Sequence, residues 1–429
     1  MVDIIVPDSK SEFIRILLIA SIFNKSVFNN QFVIKYHTDL CDDVLSTINT
    51  LPIFGCTTFV DLANRQIFIY PTNESIKTVS VGKSGTLFRI LHILQSEFDG
   101  IVDKTVDVIV QETLKSRNFD ITHSYTKNIH NIEFDTKQSS QSVSGLIIGA
   151  THEIVSKKFD EVSIKILNMG FKSYIELTIY CIQKLLNKFV SISFNDNTIT
   201  IKQKNEFGPQ LTEYTVCGDA TNTLALFSVG YWLRKQMRLW NMPKPHIPDF
   251  DILQKCYHEK IEASHYFDFH WFGVENLEKD IDLNNNPNTV PYWCLMECKN
   301  RYIGEKLELN NISGIKKLVN KESNCLAVLR VILGEFGIEI DYDQTCIYIK
   351  QTDTLYKPIT EHNLNPHNDY RIAQIIAILS FAMKFNMSKN LFSNLRCCIS
   401  KSYPNFMYDL IKINESVNKG KIIAKFKYN

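Results

Sequence analysis

The chain has 429 residues, 45% hydrophobic and 22% charged, which excludes a disordered or fibrous polymer and provides for two, at most three, domains with cores of their own. Lys and Arg number 47 against 46 Asp and Glu, a formal charge of +1, so no global field gathers nucleic acid or an anionic membrane and any bound anion must be caught by a local site. No apolar run reaches the ~18 residues of a membrane span, no leader is read at the N-terminus, and 11 cysteines without a regular framework point to a reducing compartment, with the cytoplasm as the expected location.

In chain order, one phrase recurs: a small or polar start followed by apolar residues at helical spacing. It reads SKSEFIRILLIASIF from Ser9, GKSGTLFRILHILQS from Gly82, SSQSVSGLIIGA from Ser139, GDATNTLALFSVGYWL from Gly218, ESNCLAVLRVILGEFG from Glu322 and NDYRIAQIIAILSFAMKF from Asn368. Between these phrases lie strand-like runs bounded by turn residues: FVIKY at Phe32, QIFIYP at Gln66, VDVIVQ at Val106, FVSISF and TITIKQ at Phe189 and Thr198, IEIDYD and CIYIK at Ile338 and Cys346. The pattern is α/β throughout. A composition break over residues 205–218 marks the expected domain boundary, and the stretch from Trp240 to Asn288 reads as strands joined by loops.

The helix phrases are apolar nearly all round, so the helices should be buried on every side, as they would be inside a ring of sheets. Their polar starts matter chemically, because the first turn of a helix carries free N–H groups and the positive end of the dipole. Taken singly, such Ser, Thr, Asn and Asp residues are ordinary N-caps; it is the basic residues beside them that point to phosphorylated ligands. Lys10, Ser11 and Arg15 open the first phrase, Lys83 and Gly85 the second, Ser139, Ser140 and Gln141 the third, and Arg371 and Lys401 lie near the C-terminus. GKSGT is not a Walker A loop. Cys294 and Cys298, one helical turn apart, lack a second ligand pair and read as core thiols.

The order and spacing of the phrases resemble the enolpyruvyl transferases of the EPSP synthase type. SKSEFIRILLIA is similar to that family's P-G-S-K-S-x-S-x-R opening, GKSGTLFRIL to G-N-A-G-T-x-x-R, and VQETLKSRN to the G-D-x-x-[LM]-x-x-R-P loop. SSQSVSGLIIGA with KSYIELTI resembles S-S-Q-x-x-S-A-L-L-x-A with S-K-P-Y; GDATNTLALF, KESNCLAVLRVILGEFGIEID, NDYRIAQ and SKSYPNF follow in family order. The resemblance implies a two-domain, inside-out α/β barrel of six βαβαββ-like units, with residues 10–217 forming a shikimate-phosphate-side domain, residues 1–9 plus 218–429 the second, and the site in the cleft between them. It implies transfer of an enolpyruvyl group from phosphoenolpyruvate to shikimate 3-phosphate, or a related phosphorylated cyclic alcohol, on the route to aromatic amino acids. No cofactor or metal is expected, no nucleic-acid or membrane partner, and a monomer.

Carried over by position, the catalytic residues would be Lys10, Glu322, Asn288 and Lys401. The shikimate 3-phosphate side would be Ser11, Arg15, Ser139, Ser140, Gln141, Tyr174 and Lys321, and the phosphoenolpyruvate side Gly85, Arg117, Arg371 and Lys83. Five positions depart from the family pattern. Asn288, in NNPNTV, stands where the family carries an Asp that is a candidate base, and an amide takes no proton near neutral pH. Cys325 stands for an arginine of the phosphoenolpyruvate clamp, and Lys83, which replaces an Asn, could restore its charge. Phe171 replaces a Ser and Tyr370 a His. These departures keep two other readings open: a paralogue acting on another acceptor or eliminating phosphate without enolpyruvyl transfer, and a ligand-binding protein that has lost the chemistry.

Overall fold

The structure, a computed structural model, describes residues 1–28, 31–74, 76, 78–94, 101–102, 131–136, 140–204, 206, 210–256, 266–271, 280–302, 311–318, 325–350 and 359–416. All six phrases are helical over their apolar parts: Lys10–Ile22, Gly85–Leu94, Ser140–Val155, Ala220–Leu233, Cys325–Glu335 and Tyr370–Ala382. Their starts follow from capping chemistry. The side chains of Ser9, Asp219 and Asp369 each accept a hydrogen bond from the backbone N–H of Glu12, Asn222 and Arg371 respectively.

Four helices are buried on all faces, as the absence of a polar stripe predicts. Every side chain is buried from Glu12 to Ser21, from Ser142 to Thr151, from Ala220 to Trp232 and from Arg371 to Ser380. Each Leu or Ile so buried contributes about 1.5–3 kcal/mol through loss of apolar surface to water. Two of the hydroxyls within these helices bond the turn behind them: Thr151 Oγ1 donates to the Ile147 carbonyl at 2.7 Å and Ser228 Oγ to that of Leu224 at 2.9 Å.

The strands make a repeated sheet. Strand Asn131–Asp135 runs parallel to Glu161–Leu167, which pairs antiparallel with Thr198–Gln203, which pairs antiparallel with Val190–Asn195. With the Ser140–Val155 and Lys172–Leu186 helices between strands, this is one βαβαββ unit. Strands Asp280–Asp282, Asn311–Ser313, Cys346–Ile349 and Ile340–Tyr342 repeat its order and directions. So do Glu213–Thr215, Phe32–Lys35, Gln66–Pro71 and Cys56–Asp61, where the first strand of the sheet comes from residues far along the chain. Val2–Ile5 joins Met237–Trp240 in parallel, and Tyr266–Phe269 completes that three-stranded sheet. The stretch from Trp240 to Asn288 holds, besides strands, the helix Phe250–Cys256, which corrects its reading as strands and loops; seven residues are too few to display a helical period.

Buried apolar residues form two clusters. One gathers Phe13 through Ala220, with Ile247; the other gathers Ile4 and Val6 with residues from Leu224 to Ile413, including Cys294 and Cys298. The chain crosses between them at residues 6–9 and 216–219, passages that lie side by side, and the 241–249 loop dips Ile247 back into the first cluster. Ser9 N–H donates to the Cys217 carbonyl at 2.7 Å and Asp219 N–H to the Pro7 carbonyl at 2.9 Å. Gly218 is required here, because a Cβ on it would sit 1.9 Å from the Asn241 carbonyl oxygen. No helix among the described residues is long and apolar enough to cross a membrane.

Candidate active site

Lys10 begins the first phrase's helix and its ammonium lies 3.1 Å from Asp43 Oδ2. Burial alone would lower the lysine pKa, but Asp43, Tyr370 and Cys41 outweigh it and hold the ammonium above its ordinary range. The lysine is therefore a fixed cation. Asp43 comes from the first turn of the Asp42–Thr50 helix; its other oxygen is buried and accepts no hydrogen bond among the described residues. One and a half turns beyond Lys10, Arg15 is fully buried. Its Nε donates to Thr178 Oγ1 at 2.8 Å, Nη1 to the Ser11 carbonyl at 2.7 Å, and Nη2 to Ser144 Oγ at 3.0 Å and the Tyr174 carbonyl at 3.4 Å. Arg15 thus locks three helix starts to one another.

A second tie joins the Gly85 and Ser140 helices. Gln141 Oε1 accepts from Arg89 Nη1 at 2.6 Å, and its amide donates to Thr86 Oγ1 at 2.8 Å. Arg89 Nη1 also donates to the Gly85 carbonyl at 3.1 Å. Ser140 is buried at the head of its helix, while Lys83 is exposed on the turn before Gly85.

The other cluster supplies a second constellation. Asp369 caps its helix and holds Arg371 in two contacts, Nε to Oδ1 at 2.8 Å and Nη2 to Oδ2 at 2.5 Å. Burial works to lower the Arg371 pKa, but Asp369 overrides it and keeps the guanidinium charged. Arg371 Nη1 donates to Asn288 Oδ1 at 2.8 Å, and Asn288 Nδ2 donates to the Tyr174 hydroxyl at 2.7 Å. That chain runs from the second cluster's helix to the first cluster's. Tyr370, between Asp369 and Arg371, has its ring 5.2 Å from the Lys10 ammonium; burial pushes its hydroxyl up to about 12, against the pull of Lys10 and Arg371. Two more contacts cross at the same level. Ser400 Oγ donates to Asp42 Oδ2 at 2.7 Å, and Asp42 N–H donates to the Ser400 carbonyl at 3.2 Å.

The residues named from sequence therefore fall into place unevenly. Lys10, Tyr174, Asn288 and Arg371 converge; Ser11 and Arg15 adjoin them; Gly85, Ser140 and Gln141 form the neighbouring knot of helix starts. Lys401 follows Ser400 in the turn after the Lys389–Ile399 helix, half-buried beside Ser402, whose hydroxyl accepts from Asn222 Nδ2 at 3.2 Å. Cys325 is buried near enough to Arg371 to act on its charge, so it shares a neighbourhood with the retained guanidinium. Phe171 meets Tyr174 edge-on at 6.5 Å, closing that side with carbon. Arg117, Ser139, Lys321 and Glu322 lie outside the described residues, as does the strand read at Val106.

Sequence reasoning missed three carboxylates: Asp43, Asp219 and Asp249. Asp249 is buried and Asp219 half-buried, and the two act on each other; loss of solvation pushes Asp219 up to about 6, against Asn222 and Lys10, which pull it down. Asp249 accepts from Thr221 Oγ1 at 2.7 Å and Asn286 Nδ2 at 3.2 Å. The one available signal was the acidic pair in CDDVL, which reads equally well as helix-start decoration.

The family model for EPSP synthase (3-phosphoshikimate 1-carboxyvinyltransferase) matches residues 94–410. The chain belongs to this family. Proteins called 3-phosphoshikimate 1-carboxyvinyltransferase are similar along nearly its whole length: one from Saccharolobus islandicus is 28% identical, covering 96% of each chain, and one from Saccharolobus solfataricus is 26% identical, also over 96% of each. A third, from Pyrococcus furiosus, is 24% identical over 87% of this chain and 89% of its own. Among solved structures, EPSP synthase from Acinetobacter baumannii superposes with a TM-score of 0.64 at 15% identity, covering 96% of this chain and 95% of that one. The enolpyruvyl transferase NikO from Streptomyces tendae gives 0.57 at 11%, covering 96% and 94%. The chain is a transferase of the EPSP synthase family with that family's inside-out α/β fold.

Proposed function

We propose that the protein transfers the enolpyruvyl group of phosphoenolpyruvate to a hydroxyl of shikimate 3-phosphate or a related phosphorylated cyclic alcohol, in a cleft between residues 10–217 and residues 1–9 plus 218–429. The observation that carries this reading is the convergence of Lys10 from one cluster with Arg371 from the other, bridged through Tyr174 and Asn288. Two anionic substrates need cations from both sides as water is excluded, and the helix starts at Ser11, Gly85 and Ser140 add N–H groups for phosphate oxygens.

In the reaction, the acceptor oxygen bonds to C2 of phosphoenolpyruvate as its C3 methylene gains a proton. Phosphate then leaves C2 of the tetrahedral adduct while C3 gives a proton back. Lys10 neutralises charge on both ligands, and Arg371 with Arg117 clamps phosphoenolpyruvate. Lys401 meets the departing phosphate, and Glu322 exchanges the C3 proton. Ser139, Ser140, Gln141 and Lys321 hold the acceptor's phosphate and ring hydroxyls, and Arg15 acts by fixing Ser11 and Tyr174. Asn288 orients the acceptor hydroxyl without taking its proton. The proton goes instead to a carboxylate bordering Lys10: Asp43 has a buried oxygen without a partner among the described residues, and Asp219 has a pKa suited to a base. The protein works as a monomer in the cytoplasm.

The test is a calorimetric titration with shikimate 3-phosphate and phosphoenolpyruvate, separately and together, alongside an assay of phosphate release and enolpyruvyl product. Binding of each should strengthen the other, with turnover when both are present. Failure of phosphoenolpyruvate to bind would end the proposal, and failure of shikimate 3-phosphate alone would end its role as the acceptor. Asn288 and Phe171 favour one second reading, an acceptor other than shikimate 3-phosphate. It predicts phosphoenolpyruvate binding with turnover only on another phosphorylated cyclitol.

A further inference from the structure

Away from the substrate constellation, the side-by-side passages between the two clusters enclose a different set of groups. Glu12 points from the first turn of the Lys10 helix to the passage at residues 216–219. It is fully buried and its oxygens meet no lysine or arginine in any described ion pair. Its Oε1 lies 2.8 Å from His246 Nε2 and accepts from the Tyr214 hydroxyl at 2.6 Å. Its Oε2 accepts from Cys217 N–H at 3.0 Å and lies 3.4 Å from Cys217 Sγ, which is 3.8 Å from His246 Nε2. Donor atoms of three residues thus lie within 4.8 Å of one another.

We propose that Glu12, Cys217 and His246 form a binding site for a thiophilic divalent cation of the Zn2+ class, set at the crossing between the two halves of the molecule. With metal–sulfur bonds of about 2.3 Å and metal–nitrogen or metal–oxygen bonds of about 2.0–2.1 Å, the edges of a tetrahedral site measure about 3.3–3.6 Å. The sulfur–oxygen edge of 3.4 Å and the sulfur–nitrogen edge of 3.8 Å are already near that size. The oxygen–nitrogen edge of 2.8 Å is shorter because a hydrogen is shared there, and a cation taking the place of that hydrogen spreads it.

Charge balances as well. Cys217 gives up its thiol proton to solvent, Glu12 is a carboxylate and His246 a neutral imidazole, so two negative ligands neutralise a divalent cation in a buried place. Imidazole and thiolate together select zinc-like ions over magnesium or calcium. Supporting contacts hold the donors still. The Tyr180 ring stacks on the His246 ring at 3.7 Å and 12°, and the Tyr214 hydroxyl and Cys217 N–H fix the carboxylate. The His246 side chain keeps 13% of its surface in solvent, so the site borders water. The three ligands come from the Lys10 helix, one passage and the 241–249 loop. That loop also grips the other passage, where Asn241 Nδ2 donates to the Val6 carbonyl at 3.0 Å. A bound cation would therefore tie the two passages together.

The experiment is a titration of the chelator-stripped full-length chain with Co2+, followed in the near ultraviolet for thiolate-to-cobalt charge transfer and in the visible for tetrahedral bands. One equivalent should saturate both signals, and Zn2+ should abolish them. Cys217→Ser and His246→Gln should each lose the signals, whereas the double variant Cys397→Ser, Cys398→Ser, which removes the exposed thiol and its neighbour, should keep them. Absence of charge transfer at one equivalent in the unaltered protein, or signals surviving either of the first two substitutions, would overturn the site. The unaltered protein decides even if a variant fails to fold. None of the three ligands is placed against a substrate, so this outcome and that of the substrate titration are independent.

Discussion

Asp219 ties the stability of the fold to pH. Its Oδ1 accepts from Asn222 N–H at 2.8 Å and Asn222 Nδ2 at 3.1 Å, capping a helix buried on every face. Burial raises its pKa from an ordinary 3.8 to about 6, so the folded state holds this proton to higher pH than the unfolded chain. Stability from this group is complete below about pH 4, falls as pH rises toward 6, and is level above. Asp219→Asn keeps a good cap and has no proton to lose. The variant should therefore lack a pH-dependent loss on the order of 2–3 kcal/mol between those limits. Urea denaturation at about pH 4.5 and pH 7 measures it; the same pH dependence in variant and parent would refute the assignment. In the sequence this carboxyl and Asp43 read as ordinary helix-start residues; what sets them apart is the company of Asp249 and Lys10, which only the fold brings near. Lys10 and Arg371 stood out in sequence because a basic residue beside a helix start points to an anion.

At the level of elements, the helix bodies carry the packing. The Gly85 and Ser140 helices approach so closely that a Cβ on Gly145 would meet the Ile90 carbonyl oxygen at 2.7 Å and Ile93 Cβ at 2.9 Å. Neither atom can swing away. Gly145→Ala should cost about 1–3 kcal/mol despite Ala's better helix propensity, and it should loosen the Gln141–Arg89 tie. A shift of the urea midpoint checks this; an unchanged or higher midpoint would mean that the helices can part. All six phrase helices were legible because apolar residues at helical spacing run unbroken through them. The Asp42–Thr50 helix, equally real, was not, since DDVLSTINT mixes β-branched and polar residues and owes its shape to packing against the Lys10 helix. The strands Gln66–Pro71 and Thr198–Gln203 begin where the alternating pattern placed them.

Among the described residues, the two apolar clusters are joined by the two backbone passages, by the 241–249 loop, which sends Ile247 into the first cluster, and by polar contacts such as Tyr174 with Asn288, Asp42 with Ser400 and Lys10 over Tyr370. Such an interface is far weaker than either core. Heat should unfold the halves as separate cooperative units, giving a calorimetric enthalpy larger than the van't Hoff enthalpy; a ratio of one would show that they melt together. The composition break expected over residues 205–218 overlaps the second passage between the clusters. Which side the first residues join could not be read from pattern alone, because strand Val2–Ile5 pairs with a partner more than 230 positions away.

That pairing fixes an order of events on the ribosome. The opening strand emerges first yet has no neighbour until Met237–Trp240 has been made, so the half begun first is the half finished last. Everything from the Lys10 helix to strand Glu213–Thr215 can settle in the interval like an insert within an unfinished frame. Nascent chains stalled shortly after residue 217 should thus carry one protease-resistant half and a loose leading end.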